Sequence, residues 1–257
     1  MSSTTRKPLV ITLHGFLGQS RLFFRIRSAL ERAGYNVRDF NYPMKLSLPL
    51  CGQALAEFTE EARRQTGASS VHFVGHSLGG IVIRAALSQA SCPVELKTGR
   101  VVQIAPPNLG SEFGRRIASV PVLRQSLLRL ADALTDIEKQ KPRPTTQATV
   151  MASELRELSA GHDVLSREPD FFASNFLFPS TLAGILVIRG SFPNPLLPGR
   201  SDGTVAHAET AVPIPPNDPS WRVPITELDL SGQHTVLLLL NPTVRAVVRF
   251  LDSGRVA

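Results

Sequence analysis

Apolar and polar positions along the chain fall into two alternating rhythms. Leu9-Val10-Ile11-Thr12-Leu13 is an almost unbroken apolar run ending at His14-Gly15, the pattern of a strand buried on both faces. Leu22, Phe23, Ile26 and Leu30 then recur at helical spacing through 21–33, and Gly34 supplies the stop. A strand over 36–42 is closed by Pro43, and a helix carrying Leu55, Phe58 and Ala62 stops at Gly67. A strand over 71–74, a helix over 81–90 and a strand over 101–105 follow, the last closed by Pro106-Pro107. Further strands are predicted at 185–188 and 225–230. A final helix takes Asn241 as N-cap and Pro242 as its first residue, with Val244, Val247, Val248 and Leu251 inward. This alternation predicts an α/β fold: one domain over 1–257, built on a mostly parallel sheet with helices on both faces. Ligands of such sheets sit beyond the carboxyl ends of the strands.

The rhythm breaks after Gly110. Leu123, Leu127, Leu130, Leu134 and Ile137 form one apolar stripe on a helix that ends near Lys141-Pro142. A second amphipathic helix with Met151, Leu155 and Leu158 stops at Gly161, and an aromatic stretch containing Phe171, Phe172, Phe176 and Phe178 follows. We read 111–180 as a helical cap or lid inserted between two strands, over their tips. The alternative is that these helices only pack on the sheet.

Composition narrows the class. The 257 residues are 42% hydrophobic and 19% charged, as in ordinary globular domains. The net charge of +7 is spread along the chain with no block of five basic residues, and aromatics make up only 6%. Nucleic-acid recognition needs a basic stripe with stacking aromatics or a known module, so nucleic acid is not expected as a partner. An anionic membrane surface is the partner that a basic surface suits, and oligomeric state is left open. The first strand begins at Leu9 with no apolar leader before it, and no apolar run is long enough to span a bilayer; the expected location is cytoplasmic. Two cysteines, Cys51 in an expected loop and Cys92 at a helix end, are read as reduced and structural.

The chemistry-bearing segment is Gly75-His76-Ser77-Leu78-Gly79-Gly80, a G-x-S-x-G between a β-branched strand and a helix. A strand that enters a helix within so few residues must turn sharply. Gly75 and Gly79 remove Cβ atoms that would collide there, and the turn holds the Ser77 hydroxyl clear of the backbone. A serine hydroxyl needs a base, and the base needs a carboxylate to fix its tautomer. Of six histidines, His234 lies past the strand at 225–230 and the turn Ser231-Gly232-Gln233, at the carboxyl edge of the sheet. His207 is its main rival. His72 lies in a strand, His162 in the insertion, and His14 in a turn suited to an oxyanion site, while His76 beside the serine is expected to point elsewhere. Asp202, in the Gly-bearing loop Arg200–Val205, is the candidate acid, with an Asx turn as its alternative role and Asp218 and Asp229 as weaker rivals. The order Ser77, Asp202, His234 fits one of the known serine-triad orders. The amides of Leu78 and Phe16 are the candidate oxyanion donors. Leu127, Phe171, Phe172 and Phe176 are candidates to line an acyl pocket, plain core being their alternative. No cofactor or metal is called for.

His14-Gly15-Phe16, Gly75–Gly80, Ala105–Ser111, Ser201–Val205 and His234 together make the chain resemble the α/β-hydrolase superfamily, in its small bacterial lipase/esterase branch akin to triacylglycerol lipases. The resemblance spans nearly the whole chain. It implies ester hydrolysis through an acyl-enzyme on small-molecule or lipid esters, a mobile helical cap, and a role for Pro106-Pro107-Asn108-Leu109-Gly110-Ser111 in shaping the acyl site. The chain departs from larger members in starting at the strand before the oxyanion turn. Thioesterases, acyltransferases and inactive binding proteins share the superfamily, and so stand as alternatives.

Overall fold

The computed structural model describes residues 8–15, 20–42, 47–119, 169–195 and 199–256, with the isolated positions 125, 129, 132 and 197. All six expected strands are present: β1 (Leu9–Leu13), β2 (Asn36–Phe40), β3 (Val71–His76), β4 (Arg100–Ile104), β5 (Gly184–Ser191) and β6 (Ile225–Ser231). They form one sheet in the order β2-β1-β3-β4-β5-β6, and every pairing is parallel.

Strand alternation sends successive side chains to opposite faces, and each face has its own core. Leu9, Ile11, Leu13, Phe73, Val101, Ile185 and Val187 pack with α2 (Leu48–Thr66) and α3 (Leu78–Leu87). Val10, Val74, Val102, Ile104, Leu186 and Ile188 pack on the other face with α1 (Phe24–Arg32) and the C-terminal helix (Asn241–Ser253). The long apolar runs follow from this two-sided burial.

Several helix starts differ from expectation: α1 begins at Phe24 rather than 21 and α3 at Leu78 rather than 81, and two further shifts involve prolines. α2 begins at Leu48, before the apolar positions that signalled it, because Pro49 in the first turn needs no amide partner. Cys51 therefore lies in a helix rather than a loop; it and Cys92 are buried thiols, and burial pushes that of Cys51 up to about 11. Asn241 does not cap the last helix but begins it, with Leu240 at the cap position, and its side-chain oxygen accepts from Arg25 Nη2 at 2.6 Å.

The proposed cap, 111–180, falls largely outside the described residues. Its two described ends are α4 (Glu112–Ser119) and α5 (Pro169–Ser174). The buried carboxylate of Glu209 accepts from the Ala206 amide at 2.7 Å and from the Glu112 amide, tying the start of α4 to the loop after Asp202. Among the described residues no helix is long and apolar enough to cross a membrane.

His72, inside β3, carries a pH consequence. Its Nδ1 accepts from the Arg100 amide at 2.9 Å, and burial, with a smaller effect from the Arg100 charge, lowers its pKa from 6.5 to about 4. Below pH 6.5 the unfolded chain therefore binds a proton that the folded one refuses. The stability contributed by neutral His72 is full above pH 6.5 and is lost as pH falls toward 4, by about 3 kcal/mol. Denaturant midpoints should fall over that window. His72→Asn, which keeps an acceptor but does not titrate, should flatten the fall.

Candidate active site

The carboxyl ends of β1, β3, β4, β5 and β6 supply the site. β3 ends at His76 and α3 starts at Leu78, so Ser77 alone makes the turn, with φ 52° and ψ −125°. A non-glycine residue held there costs about 1–3 kcal/mol unless its surroundings fix it. They do so from three sides. The Ser77 amide donates to the Ile104 carbonyl at 2.8 Å. A Cβ on Gly75 would fall 2.7 Å from backbone atoms of Gly79 and Gly80, and one on Gly79 would fall 2.6 Å from the Leu13 and His14 carbonyl oxygens. A Cβ on Gly15 would sit 2.7 Å from that of Ser77. The glycines thus let the end of β1 and the start of α3 close around the serine. Ala105, next to the carbonyl that holds Ser77, also has positive φ, at 51°.

Asp202 and His234 meet across the ends of β5 and β6. His234 Nδ1 donates to Asp202 Oδ2 at 2.7 Å, and both residues are buried. The other carboxylate oxygen accepts from the Thr204 and Val205 amides at 2.9 and 2.8 Å. The Asx turn and the contact with histidine are therefore not alternatives; each uses one oxygen. The main chains are joined as well, His234 N donating to Asp202 O at 3.0 Å. Close approach is possible because β5 carries Gly190, where a Cβ would fall 2.7 Å from that of Asp202 and 2.6 Å from the Gly232 carbonyl. With Nδ1 bearing the proton, the neutral imidazole keeps Nε2 as its acceptor.

The rivals are engaged elsewhere. His207 Nε2 donates to the Gly190 carbonyl at 2.6 Å. Asp218 accepts from the Ser220 amide and hydroxyl in its own loop, and Asp229 pairs with Arg189 and Arg200 on β6. His14 donates through Nδ1 to the Gly15 carbonyl at 2.9 Å and stacks on Tyr42 at 4.9 Å; burial lowers its pKa. His76 departs from expectation. Its ring does not point away from the site: Nε2 donates to the His234 carbonyl at 3.1 Å, and the two ring centroids are 4.7 Å apart.

Leu78 opens α3, where the first amides have no partner within the helix. Phe16 and Leu127 lie outside the described residues. Phe172 is fully buried in the core beside α3, with Phe171 and Phe176 partly buried against it. A buried polar network under the site had no signal in the sequence pattern. Gln103 Nε2 donates to the Gly80 carbonyl and to Asn108 Oδ1, both at 3.0 Å, and Asn108 Nδ2 donates to Gln103 Oε1 and the Thr210 carbonyl, both at 2.9 Å. Arg84, wholly buried, donates to Asn108 O, Phe172 O, Asn175 O and Phe176 O at 2.6–2.9 Å, and burial lowers its pKa to about 9. These contacts bind the Pro106–Gly110 segment to the helix that starts at the serine. Among the described residues no three His, Cys, Asp or Glu side chains gather as a metal site.

A parallel sheet with helices on both faces and a serine turn at a central strand end is the arrangement of the α/β-hydrolase fold. The family model described as alpha/beta hydrolase fold matches residues 8–129. No curated protein sequence matches the chain. Among solved structures it is similar to the mature lipase BlEst2 of Bacillus licheniformis, at 18% identity over 90% of this chain and 85% of that one, with a TM-score of 0.54. Carboxylesterase CesB of Bacillus subtilis is similar at 14% identity over 97% and 85%, TM-score 0.54. The Vlm2 thioesterase domain is similar at 15% over 96% and 92%, TM-score 0.54. At these identities the likeness is one of fold.

Proposed function

We propose that the chain is a serine hydrolase that cleaves carboxylic ester bonds through an acyl-enzyme on Ser77. The observation that carries this reading is the buried His234–Asp202 pair at 2.7 Å beside a serine turn with φ 52°. His234 Nε2 takes the hydroxyl proton as Ser77 Oγ attacks the ester carbonyl carbon. The Leu78 and Phe16 amides hold the oxyanion, with the N-terminus of α3 adding its partial positive charge. Collapse breaks the bond to the alcohol oxygen, which receives the proton from His234. Water, deprotonated by the same nitrogen, then attacks the acyl carbon and releases the acid. Asp202 keeps Nδ1 protonated and offsets the imidazolium charge in each half-reaction. Leu127, Phe171 and Phe176 are the proposed acyl-side contacts.

An alkyl fluorophosphonate tests the reading directly. Folded protein should gain one adduct, located on Ser77 by peptide mass spectrometry, and heat-denatured protein should gain none. An unlabelled Ser77 in the folded protein overturns it. Parallel turnover of matched oxygen esters and thioesters then separates an esterase from a thioesterase on the same triad.

A further inference from the structure

The imidazole of His76, the residue before the nucleophile, has no part in the proton transfers described above, yet it lies between the serine turn and the base. Its Nε2–H reaches the His234 main-chain carbonyl at 3.1 Å, its ring is tilted 49° to the His234 ring, and it is buried. We propose that His76 is a positioning residue that sets the separation between Ser77 and His234.

Among the described residues, three hydrogen bonds hold His234. Its Nδ1 and its amide both lead to Asp202, so they fix the base relative to the acid loop and say nothing about the nucleophile. The third, from His76, is the one that ties the base to β3 and thus to the residue joined covalently to Ser77. The ring is backed on its other side by Gly15, where a Cβ would lie 2.9 Å from His76 Nδ1. The donor is therefore held by the end of β1 as well as by its own strand.

Charge explains why a neutral ring suits the position. His234 becomes an imidazolium during each half-reaction, and a cation within hydrogen-bond reach of its main chain would oppose that change. The charged or titratable groups that act on His76 are His234, from the loop after β6, and His14, from the end of β1. Burial foremost, then the neighbouring His234, drives the His76 pKa well below its usual value, so the ring donates without carrying charge.

The inference rests on the hydrolase reading for its kinetic test and stands apart from it in a spectroscopic one. His76→Phe keeps a ring and removes the donor; His76→Gln returns an amide N–H near the position of Nε2; His76→Asn is too short to reach. His76→Phe should lower kcat on a soluble nitrophenyl ester about tenfold with KM within twofold, the scale of one lost positioning hydrogen bond. His76→Gln should recover most of the loss and His76→Asn should not, with urea midpoints recorded for all three. Should the Phe variant fail to fold, the Gln–Asn contrast decides. Equal losses in Gln and Asn, a wild-type kcat in Phe, or a change confined to KM each overturn the proposal. In histidine-labelled wild-type protein, ¹⁵N NMR should find His76 as the neutral Nε2–H tautomer at pH 7, with that proton protected from exchange. An Nδ1–H tautomer or a rapidly exchanging proton overturns the placement whatever the activity. A protein with the expected tautomer and no ester turnover would instead overturn the hydrolase reading alone.

Discussion

Ser77→Ala should lower ester kcat by about 10⁶, and Asp202→Asn by about 10⁴, the scales that such triads lose when nucleophile or orienting acid is removed. The two losses have different origins. Alanine removes the attacking oxygen, so the residual rate is what binding and the oxyanion amides provide alone. Asparagine keeps the volume and an oxygen that can serve the Asx turn to Thr204 and Val205. It presents an amide N–H to His234, however, so the imidazole is driven to carry its proton on Nε2 and loses its acceptor toward Ser77. Asp202→Asn should therefore fold as the wild type does, with an unchanged melting temperature, and fail in kcat rather than KM. Steady-state kinetics with matched calorimetry check this, and an Asp202→Asn variant with wild-type kcat would remove Asp202 from the mechanism. Double Ser77→Ala/Asp202→Asn protein should be no worse than Ser77→Ala, because the two residues act as one unit.

Arg84→Met should cost about 3–4 kcal/mol of stability, or a fall of roughly 10 °C in Tm. Methionine matches the length of the stem but leaves the buried carbonyls of Asn108 and Phe172, and the partly buried ones of Asn175 and Phe176, without their donor. The two buried acceptors lose water on folding and gain nothing in return. Phe176 holds φ 55°, so loosening its carbonyl also releases a strained residue. Arg84→Lys should recover less than half, since one ammonium cannot span acceptors arranged around a planar fork. Arg64 offers the contrast: it pairs with Glu60 and Glu61 on a surface where its side chain is 64% exposed, and Arg64→Met should cost under about 0.5 kcal/mol. Thermal unfolding of the three variants distinguishes a buried hub from a surface charge.

The contrast between Arg84 and the strands shows where sequence reading reaches and where it stops. Strands buried on both faces are apolar at most positions, so β1, β3, β4 and β5 read as runs despite Thr12, His72 and Gln103 within them. The serine turn was legible because its glycines are demanded by local crowding, and Asp202 and His234 because each follows a strand by a few residues. Arg84 gives no such signal: it sits among the apolar residues of α3, and its meaning depends on carbonyls 24 to 92 positions away. His76 was expected to point elsewhere for the same reason. Its partner is a main-chain oxygen brought in by β6, and no side-chain pattern records that. Gly190 reads as an ordinary strand residue until Asp202 is laid against it. Leu48 and Asn241 show a smaller limit, the choice of which residue opens a helix when a proline follows.

The strand order has a temporal side. Among the described residues β6 lies at the margin of the sheet and pairs with β5 alone, yet the loop behind it carries His234. The nucleophile leaves the ribosome more than 150 residues ahead of its base. Under the proposed chemistry, a nascent chain can have β1 to β4 in place, with its serine turn already formed, and still be inert. On that reading, reactivity arrives only with the docking of the last strand and the loop behind it.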